Sequence, residues 1–438
     1  MATKKHPRVV LSDNLDLQLN DSRRQFIKSV ITAGAGITLA SKAPFVFAKS
    51  KDKLRVLGTH VTLQEELRQQ AMQDLGIELE FEAKGSSAVL QKASMQPDTF
   101  DLYEQWSDSI NLLWRSRAIQ PIDKKRINNW DEVNALTKTG KLTPEANFGA
   151  GDAPYKILHV QKNNTLGSNH TDSISFLPYV HNVDSFGYNN KVIPKGIPYK
   201  TESWGWLLDE AYKGKVGIVN APTIGLFDLA LAAQAKGYIQ FGNIGAMTRA
   251  ELDKLFAILI ELKQQNHFSG FWTSVPESVR FMSSERVVIE SMFSPAISAL
   301  NGQNVPVTFA APKEGYRGWH GVMCLSSAIS GRTKDVAYEY MNWWLSGWPG
   351  AFIARQGYYI SNPGRSKKLL SPAEWDYWYQ GKAAIEPLRG TDGKVSVRKG
   401  DIRTGGSYEN RFSNVAVWNT VMPTYDYSLQ KWYEFIST

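Results

Sequence analysis

Blocks of strand-like and helix-like hydrophobic pattern alternate along the first part of the chain. The continuous apolar run Leu54–Leu57 predicts a short buried strand. A helical pattern follows, with apolar residues at four-residue spacing from Leu63 to Leu75. Residues 77–81 then alternate between apolar and polar, which is typical of a strand. The order strand, helix, strand predicts a parallel sheet with helices on its faces.

Similar blocks recur farther along the chain, with less regular stretches between them. Residues 175–180 and 185–189 are predicted to form two separate strands. Between the early units and these strands, residues 138–175 are rich in Gly, Asn, Ser and Thr, which predicts a long loop or small excursion. Residues 371–438 are rich in Trp and Tyr and end in a predicted helix over 425–435. No internal repeat is visible.

The stretch Ser22–Lys28 contains the pair Arg23-Arg24, followed by a mildly apolar run and then by small residues around Ala48. This order resembles a twin-arginine (Tat) export signal, which a receptor at the bacterial inner membrane reads. About 11 apolar residues are too few to cross a bilayer, which needs about 20. We therefore predict that residues 1–48 are a Tat signal peptide, that the Tat export machinery is a partner, and that the mature protein lies in the periplasm.

The charge balance excludes one class of function. The chain has 50 Lys and Arg against 42 Asp and Glu, but the leader holds seven of these cations and three of the anions. The remainder is close to balance, and no run of five basic residues appears in it. The sequence therefore gives no argument for a nucleic-acid partner.

The potential metal and thiol ligands are few. Cys324 is the only cysteine and lies in an apolar stretch, so it is expected to be a small buried side chain. The seven histidines show no zinc-ligand spacing, and no metal or cofactor is predicted. The 14 Trp and 18 Tyr exceed what a core usually holds, which favours an aromatic-lined groove or interface.

Four stretches occur in an order that resembles a known family. They are Phe100–Leu102 with Ile119–Asp123, Glu202–Trp204 with Tyr212–Val216, Pro312–Gly315 with Trp319, and Gly357–Asn362 with Leu369–Pro372. This order is similar to that of the periplasmic substrate-binding proteins of ABC importers, in particular the spermidine/putrescine-binding group. The resemblance covers most of the mature chain.

The resemblance implies an α/β fold with two lobes joined by two crossing strands, the type II periplasmic-binding-protein fold. Lobe one would be residues 52–180 plus 318–360, and lobe two would be residues 186–311 plus 365–438. A small-molecule ligand would bind in the cleft between the lobes and favour their closure. The closed protein, expected to be a monomer, would then dock on an ABC permease in the inner membrane.

Ligands of α/β lobes meet the loops at the carboxyl ends of strands, which selects candidate ligand-binding residues. The alternatives for two of them are lobe packing for Trp319 and helix capping for Asp108. The ten candidates are His60, Trp106, Ser107, Asp108, Thr223, Phe293, Trp319, His320, Tyr358 and Tyr359.

The chain departs from the polyamine pattern at positions that matter for charge. Polyamine binders place an Asp two residues beyond the Trp that matches Trp319, where this chain has Gly321. A buried ammonium needs a carboxylate partner. We therefore expect a diverged small organic ligand, either one whose amine pairs with Asp108 or a neutral or anionic one held by Ser107, Thr223 and His320.

Three other functions stay open at this point. Tyr358-Tyr359 with His60 or His320 would suit a ferric-ion or metal-chelate binder of the same fold. A Tat-exported enzyme is disfavoured because no Gly-x-Ser-x-Gly, dinucleotide or P-loop motif is present. A periplasmic two-lobed sensor or scaffold has the same sequence features as a transport component, and we expect a non-enzyme.

Overall fold

The computed structural model describes residues 52–438. The predicted Tat signal, with Arg23-Arg24 and the cleavage site at Ala48, lies outside the described residues.

The described part of the chain is a mixed α/β structure, as the alternating pattern predicts. Its strands are β1 (Lys53–Gly58), β2 (Glu78–Ala83), β3 (Leu102–Trp106), β4 (Ile119–Gln120), β5 (Ile122–Asp123), β6 (His159–Val160), β7 (Leu166–Gly167), β8 (Ser173–Ile174), β9 (Leu177–Asn189), β10 (Val216–Val219), β11 (Phe268–Trp272), β12 (Ile289–Met292), β13 (Val307–Phe309), β14 (Tyr316–Ser326), β15 (Tyr359–Ile360), β16 (Leu388–Arg389), β17 (Val395–Val397) and β18 (Val415–Trp418).

The helices flank the strands, and three of them lie in the C-terminal segment, residues 371–438. They are α1 (Glu65–Leu75), α2 (Ser86–Met95), α3 (Ile110–Arg115), α4 (Ala135–Thr139), α5 (Pro222–Ala235), α6 (Arg249–Gln264), α7 (Val275–Ser283), α8 (Ser294–Gly302), α9 (Gly331–Trp344), α10 (Trp348–Ala354), α11 (Pro363–Lys367), α12 (Pro372–Trp378), α13 (Tyr408–Ser413) and α14 (Tyr425–Ser437). None of these helices is long and apolar enough to span a bilayer.

The main sheet is organised around two long strands, β9 and β14. Its order is β11-β10-β12-β9-β14-β3-β1-β2. Strands β1, β2 and β3 are parallel at one end, and β10, β11 and β12 are parallel at the other. Strands β9 and β14 pair antiparallel with each other, and each also pairs with one of the parallel groups. They therefore connect the two halves of the sheet.

Strand β9 differs from the sequence prediction. Residues 175–180 and 185–189 were expected to be two strands, but Leu177–Asn189 is one continuous strand. Its polar residues are buried rather than placed in a turn. Asn182 donates a hydrogen bond to the Ser294 hydroxyl at 3.0 Å, and Asp184 pairs with Arg317. Because these polar groups have partners, the strand can continue through the interior.

Three buried apolar clusters support the sheet within the described residues. One draws on β1, β2, β3 and α9, a second on the strands β10 and β12 with α5 and α6, and a third on the C-terminal segment with its many aromatic residues. The predicted excursion, residues 138–175, holds β6, β7 and β8, which form a small four-stranded sheet with the earlier strand β5. The lobe boundaries inferred from the sequence stay a prediction.

The C-terminal segment is part of the main structure. Strand β18 pairs in parallel with the start of β14. The Trp432 side chain of α14 is fully buried, and its indole nitrogen donates to the Asn220 side-chain oxygen at 3.0 Å. Asn220 immediately follows β10, so α14 packs close to the loop that leads into α5. The predicted helix over residues 425–435 is confirmed and extends to Ser437.

Candidate functional site

Three of the predicted ligand-binding residues form an aromatic cluster, defined here as Trp106, Trp319 and Tyr358. The Trp106 and Trp319 rings meet edge to face with centroids 4.7 Å apart. The Trp319 and Tyr358 rings meet in the same way at 5.6 Å. Such pairs add about 0.5–1.5 kcal/mol beyond the burial of their area. The cluster is therefore a rigid apolar surface on the strands β3 and β14.

The sheet register explains how these rings meet. Trp106 is the last residue of β3 and lies opposite Gly321 of β14. Trp319 lies two residues before Gly321, on the same face of the strand. Tyr358 directly precedes β15, which pairs with β9. Trp319 is 5% exposed and Tyr358 is 7% exposed, whereas Trp106 is half-buried.

A buried ion triad of Asp184, Arg317 and Asp228 lies beside the aromatic cluster. The Arg317 Nε donates to an Asp228 carboxylate oxygen at 2.7 Å, and its Nη2 donates to Asp184 at 3.4 Å. Arg317 is fully buried. Asp184 lies on β9, Arg317 on β14 and Asp228 on α5. The triad therefore ties the two long strands to a helix of the β10 half.

Asp184 links the triad to the aromatic cluster. Burial raises the pKa of Asp184 to about 6, opposed by Arg317 and by a hydrogen bond from Trp319. Burial also raises the pKa of Tyr358, and the charge of Asp184 adds to that rise. A carboxylate therefore lies close to two of the three rings, and it is paired with Arg317, which Asp184 shares with Asp228.

Ser107 and Asp108 follow the aromatic cluster in the chain but are buried, at 2% and 4% exposed. Burial and the neighbouring Asp152 carboxylate raise the pKa of Asp108 to about 7. One oxygen of Asp108 is buried without a hydrogen-bond partner. The pKa of Tyr425 of α14 is raised by burial, and the charge of Asp108 adds to that rise. Its carboxyl therefore faces the excursion and the C-terminal helix.

The prediction that Ser107 or Asp108 caps the following helix is wrong. The N-cap residue of α3 is Ser109, which makes no capping hydrogen bond with its side chain. Instead, the Ser109 hydroxyl donates to the Trp106 carbonyl oxygen at 2.6 Å. The helix is preceded by a short 3-10 turn over Ser107–Ser109, which moves its start away from Asp108.

His320 lies in the interior of the sheet rather than on a cleft surface. It is fully buried and stacks on His181 of β9 at a centroid distance of 4.8 Å. Its Nδ1 makes a hydrogen bond with the Gly321 carbonyl oxygen at 2.9 Å. Burial lowers the pKa of His320 to about 4 and lowers that of His181 as well. Both rings are therefore neutral at neutral pH.

Replacing His320 with Gln is expected to reduce the loss of stability in acid. The unfolded chain binds a proton on this histidine near pH 6.5, whereas the folded chain does not until about pH 4. The contribution of neutral His320 to the free energy of unfolding is therefore fully present above pH 6.5. It falls by about 3 kcal/mol as the pH drops to 4. Urea unfolding at pH 7.0 and pH 4.5 measures the difference. If the difference in unfolding free energy between the two pH values is the same in the variant and the wild type, the lowered pKa of His320 is not the cause of the loss.

The other predicted residues do not join the aromatic cluster through direct ring contacts. His60 is exposed after β1, and Thr223 is half-buried in the first turn of α5. Phe293 packs against Trp272 with ring centroids 5.0 Å apart. The hydroxyl of the fully buried Tyr359 accepts a hydrogen bond from Arg403 at 2.7 Å. That cation disfavours a ferric ion at the same oxygen.

A cavity of about 460 Å³ lies among the described residues, and its lining contains no residue of the aromatic cluster itself. Its lining includes Gly357, which precedes Tyr358, and Ser294, which is bonded to Asn182 on β9. Asn182 lies opposite Trp319 in the register of β9 and β14. Arg403 and Arg411 of the C-terminal segment also line the cavity. Sequence patterns gave no sign of Asp184, Arg317 or these two arginines.

The sequence profile of a protein family described as bacterial extracellular solute-binding protein matches residues 66–378. No curated protein matches the sequence.

Several solved structures are similar to this chain across most of its length. The spermidine/putrescine substrate-binding protein PotD of Streptococcus pneumoniae is 16% identical, with 88% of this chain and 99% of that chain covered and a TM-score of 0.58. A putative spermidine/putrescine ABC transporter protein of Listeria monocytogenes is 14% identical, with 88% and 98% covered and a TM-score of 0.62. AgtB of A. tumefaciens R10, in complex with agropinic acid, is 12% identical, with 88% and 99% covered and a TM-score of 0.53. The chain shares their two-lobed, type II periplasmic-binding-protein fold.

Proposed function

The chain belongs to the bacterial extracellular solute-binding proteins, and from this we propose that it captures a small organic solute and delivers it to the permease of an ABC importer. We further propose that it works in the periplasm after export by the Tat machinery. Its family consists of solute-binding proteins rather than enzymes, which supports a role in capture and not in catalysis.

The observation that carries this proposal is the position of the aromatic cluster. Trp319 lies on β14, one of the two strands that connect the halves of the sheet, and contacts Trp106 and Tyr358. A solute that packs on this cluster and also reaches the loops of the β10 half, near Thr223 and Phe293, would contact both halves. Such a solute favours the form in which the halves are closed.

The charges near the cluster favour a solute other than a polyamine. Asp184 is already paired with Arg317, and Asp108 faces Asp152. At Gly321, the position of the polyamine-type Asp, an added Cβ would lie 2.9 Å from the Val180 carbonyl oxygen, so a side chain needs the backbone to shift. Aromatic faces add only about 0.5–2 kcal/mol per cation. A polyamine would find no acid at Gly321, and its ammonium groups would have to use Asp108 or compete with Arg317 for Asp184.

A thermal-shift panel on the purified full chain tests the proposal. The panel contains spermidine, amino acids, sugars, organic acids and ferric citrate. A solute at 100 times its dissociation constant adds about 2.7 kcal/mol to the folded state, so one class should raise the melting temperature by several degrees. A shift with no member of the panel would count against solute capture. If spermidine alone raises the melting temperature, the argument that a polyamine lacks its carboxylate partner at Gly321 is wrong.

A further inference from the structure

Two arginines of the C-terminal segment, Arg403 and Arg411, are buried without a carboxylate partner. Arg403 is 8% exposed and Arg411 is 1% exposed. Among the ion pairs of residues 52–438, neither guanidinium takes part. Taking a cation out of water costs several kcal/mol unless an anion or a full set of hydrogen bonds replaces the solvent. The burial of these two guanidinium groups therefore requires an anion or further hydrogen-bond acceptors.

Arg403 is held by neutral acceptors. Its Nη1 donates to the Tyr359 hydroxyl at 2.7 Å and to the Trp378 carbonyl oxygen at 3.2 Å. Its Nη2 donates to the Gly357 carbonyl oxygen at 2.6 Å. Burial lowers its pKa below the usual arginine value. These three bonds fix the plane of the guanidinium and leave part of its donor set unused, since an arginine has five N–H groups.

Arg411 has fewer partners still. Its Nη1 donates to the Thr404 carbonyl oxygen at 2.8 Å, and its Nε is buried with no hydrogen-bond partner. Its guanidinium carbon lies 5.2 Å from the centre of the Tyr316 ring and 5.6 Å from that of Phe309. Aromatic faces stabilise a cation only weakly, by less than a buried charge requires.

Arg317 is a buried arginine with a structural role, and it serves as the comparison for Arg403 and Arg411. It has two carboxylate partners, Asp184 and Asp228, and it also donates to the Asn419 side-chain oxygen at 3.1 Å. Arg403 and Arg411 are buried to a similar degree but have no carboxylate at ion-pair distance, and the charge of Asp184 acts on Arg411 only from farther away. The contrast indicates that the anion for these two arginines comes from outside the chain.

Both arginines line the same cavity of about 460 Å³, which is large enough for a small organic molecule. Its charged lining residues are Lys195, Arg398, Arg403 and Arg411 against the single acid Asp401. The Asp401 carboxylate accepts the backbone N–H of Arg398 at 2.8 Å, so it is engaged elsewhere. Helix α8 begins at Ser294 on the wall, and its N-terminus adds partial positive charge.

We propose that Arg403 and Arg411 bind the carboxylate of an organic acid, and that this cavity is the part of the ligand site that sets the solute class. The inference rests on the proposed function and narrows it, because Gly357 lines the cavity and directly precedes Tyr358 of the aromatic cluster. The acid group binds the two guanidinium forks, and the rest of the solute extends toward Tyr358 and Trp319. Paired guanidinium donors match the planar geometry of a carboxylate.

The test is a thermal-shift and calorimetric titration of the full chain with succinate, citrate, glutamate, inorganic phosphate and spermidine at constant ionic strength. At least one carboxylate is expected to raise the melting temperature by several degrees. The double variant Arg403→Gln/Arg411→Gln should weaken its binding roughly 10- to 100-fold, which is the range for charge-assisted hydrogen bonds. Arg389→Gln removes one positive charge from an exposed arginine of the same segment that does not line the cavity, so this variant should keep its affinity.

A second variant covers the case in which the double variant does not fold. Thr404→Glu adds a carboxylate beside Arg411, so it should raise the melting temperature of the free protein and abolish the carboxylate shift.

Three results would overturn the inference: no shift with any carboxylate, an equal shift in the double variant, or a larger shift with inorganic phosphate than with every carboxylate. If spermidine shifts the melting temperature while carboxylates do not, solute capture stands and only the solute class is wrong. If all probes are silent in this titration and in the wider panel, both proposals fail.

Discussion

Replacing Arg317 with Met is expected to lower the free energy of unfolding by about 3–5 kcal/mol, the usual cost of removing one partner from a buried ion pair. The variant leaves Asp184 and Asp228 buried at a fully enclosed site without their cation. Urea unfolding of the full chain at pH 7 measures the effect. A loss below about 1 kcal/mol would show that the triad does not hold β9, β14 and α5 together.

The pH dependence of this loss identifies its cause. Burial already raises the pKa of Asp184 to about 6 and raises that of Asp228, and the loss of Arg317 raises both further. A folded pKa above the unfolded value means that the variant regains stability as the pH falls toward 4 and loses it as the pH rises. The added change Asp228→Asn should recover part of the loss at pH 7.

Arg332→Met is the matched control for Arg317→Met. Arg332 forms ion pairs with Asp52 and Glu339, but its side chain is 55% exposed. Exposed pairs contribute about 0–1 kcal/mol, so this variant should unfold close to the wild type.

Replacing Trp319 with Leu is expected to weaken solute binding by roughly 30-fold or more, the effect of losing a contact residue worth at least 2 kcal/mol. Leu keeps the position apolar but loses both edge-to-face contacts, with Trp106 at 4.7 Å and Tyr358 at 5.6 Å. Calorimetric titration with the solute that gives the largest thermal shift measures the change. Unchanged affinity would place the solute elsewhere.

Trp343→Leu separates a loss of binding from a loss of stability. Trp343 and Trp319 are both 5% exposed, but Trp343 lies on α9 and its indole nitrogen donates to Asp74 of α1 at 2.8 Å. The Trp343 variant should lose stability to a similar degree while its affinity for the solute stays within a few-fold of the wild type. Equal losses of affinity in both variants would mean that Trp319 acts only through packing.

The parts of the fold that sequence predicts are those whose signal is local. The apolar run of β1 and the four-residue spacing of α1 are set by burial against the neighbouring sheet and helix faces, and both elements form. The capping box at the start of α6 is another local signal, since Thr248 and Glu251 are three positions apart and satisfy each other's backbone N–H groups. In each case the residues that decide the structure are only a few positions apart.

Strand β9 shows why the remainder is not visible in the sequence. His181, Asn182 and Asp184 interrupt its apolar pattern, and each has its partner more than 100 positions away, in Tyr408, Ser294 and Arg317 respectively. Without those partners, the polar residues indicate a break between two strands. The partners become apparent only once the chain is folded.

The candidate site likewise contains residues that the sequence predicts and residues whose role only the folded chain reveals. The rule that ligands meet the carboxyl ends of strands selected Trp106, and the second crossing strand implied by the family resemblance selected Trp319 and the nearby Tyr358. The structure brings the three together. Neither criterion could select Arg403 or Arg411, because neither residue follows the carboxyl end of a predicted strand or lies on a predicted crossing strand. Their significance depends on burial and on the lack of a carboxylate partner, which are properties of the folded chain.

The most direct test of the central claim is equilibrium dialysis of the full chain against a small-molecule extract of bacterial cells, with the retained compounds identified by mass spectrometry. At least one small organic solute should be retained by the wild-type chain at a higher concentration than in the extract. This enrichment should be lost with Trp319→Leu and kept with Trp343→Leu. No enriched compound, or equal enrichment with Trp319→Leu, would contradict the claim that the aromatic cluster captures a solute.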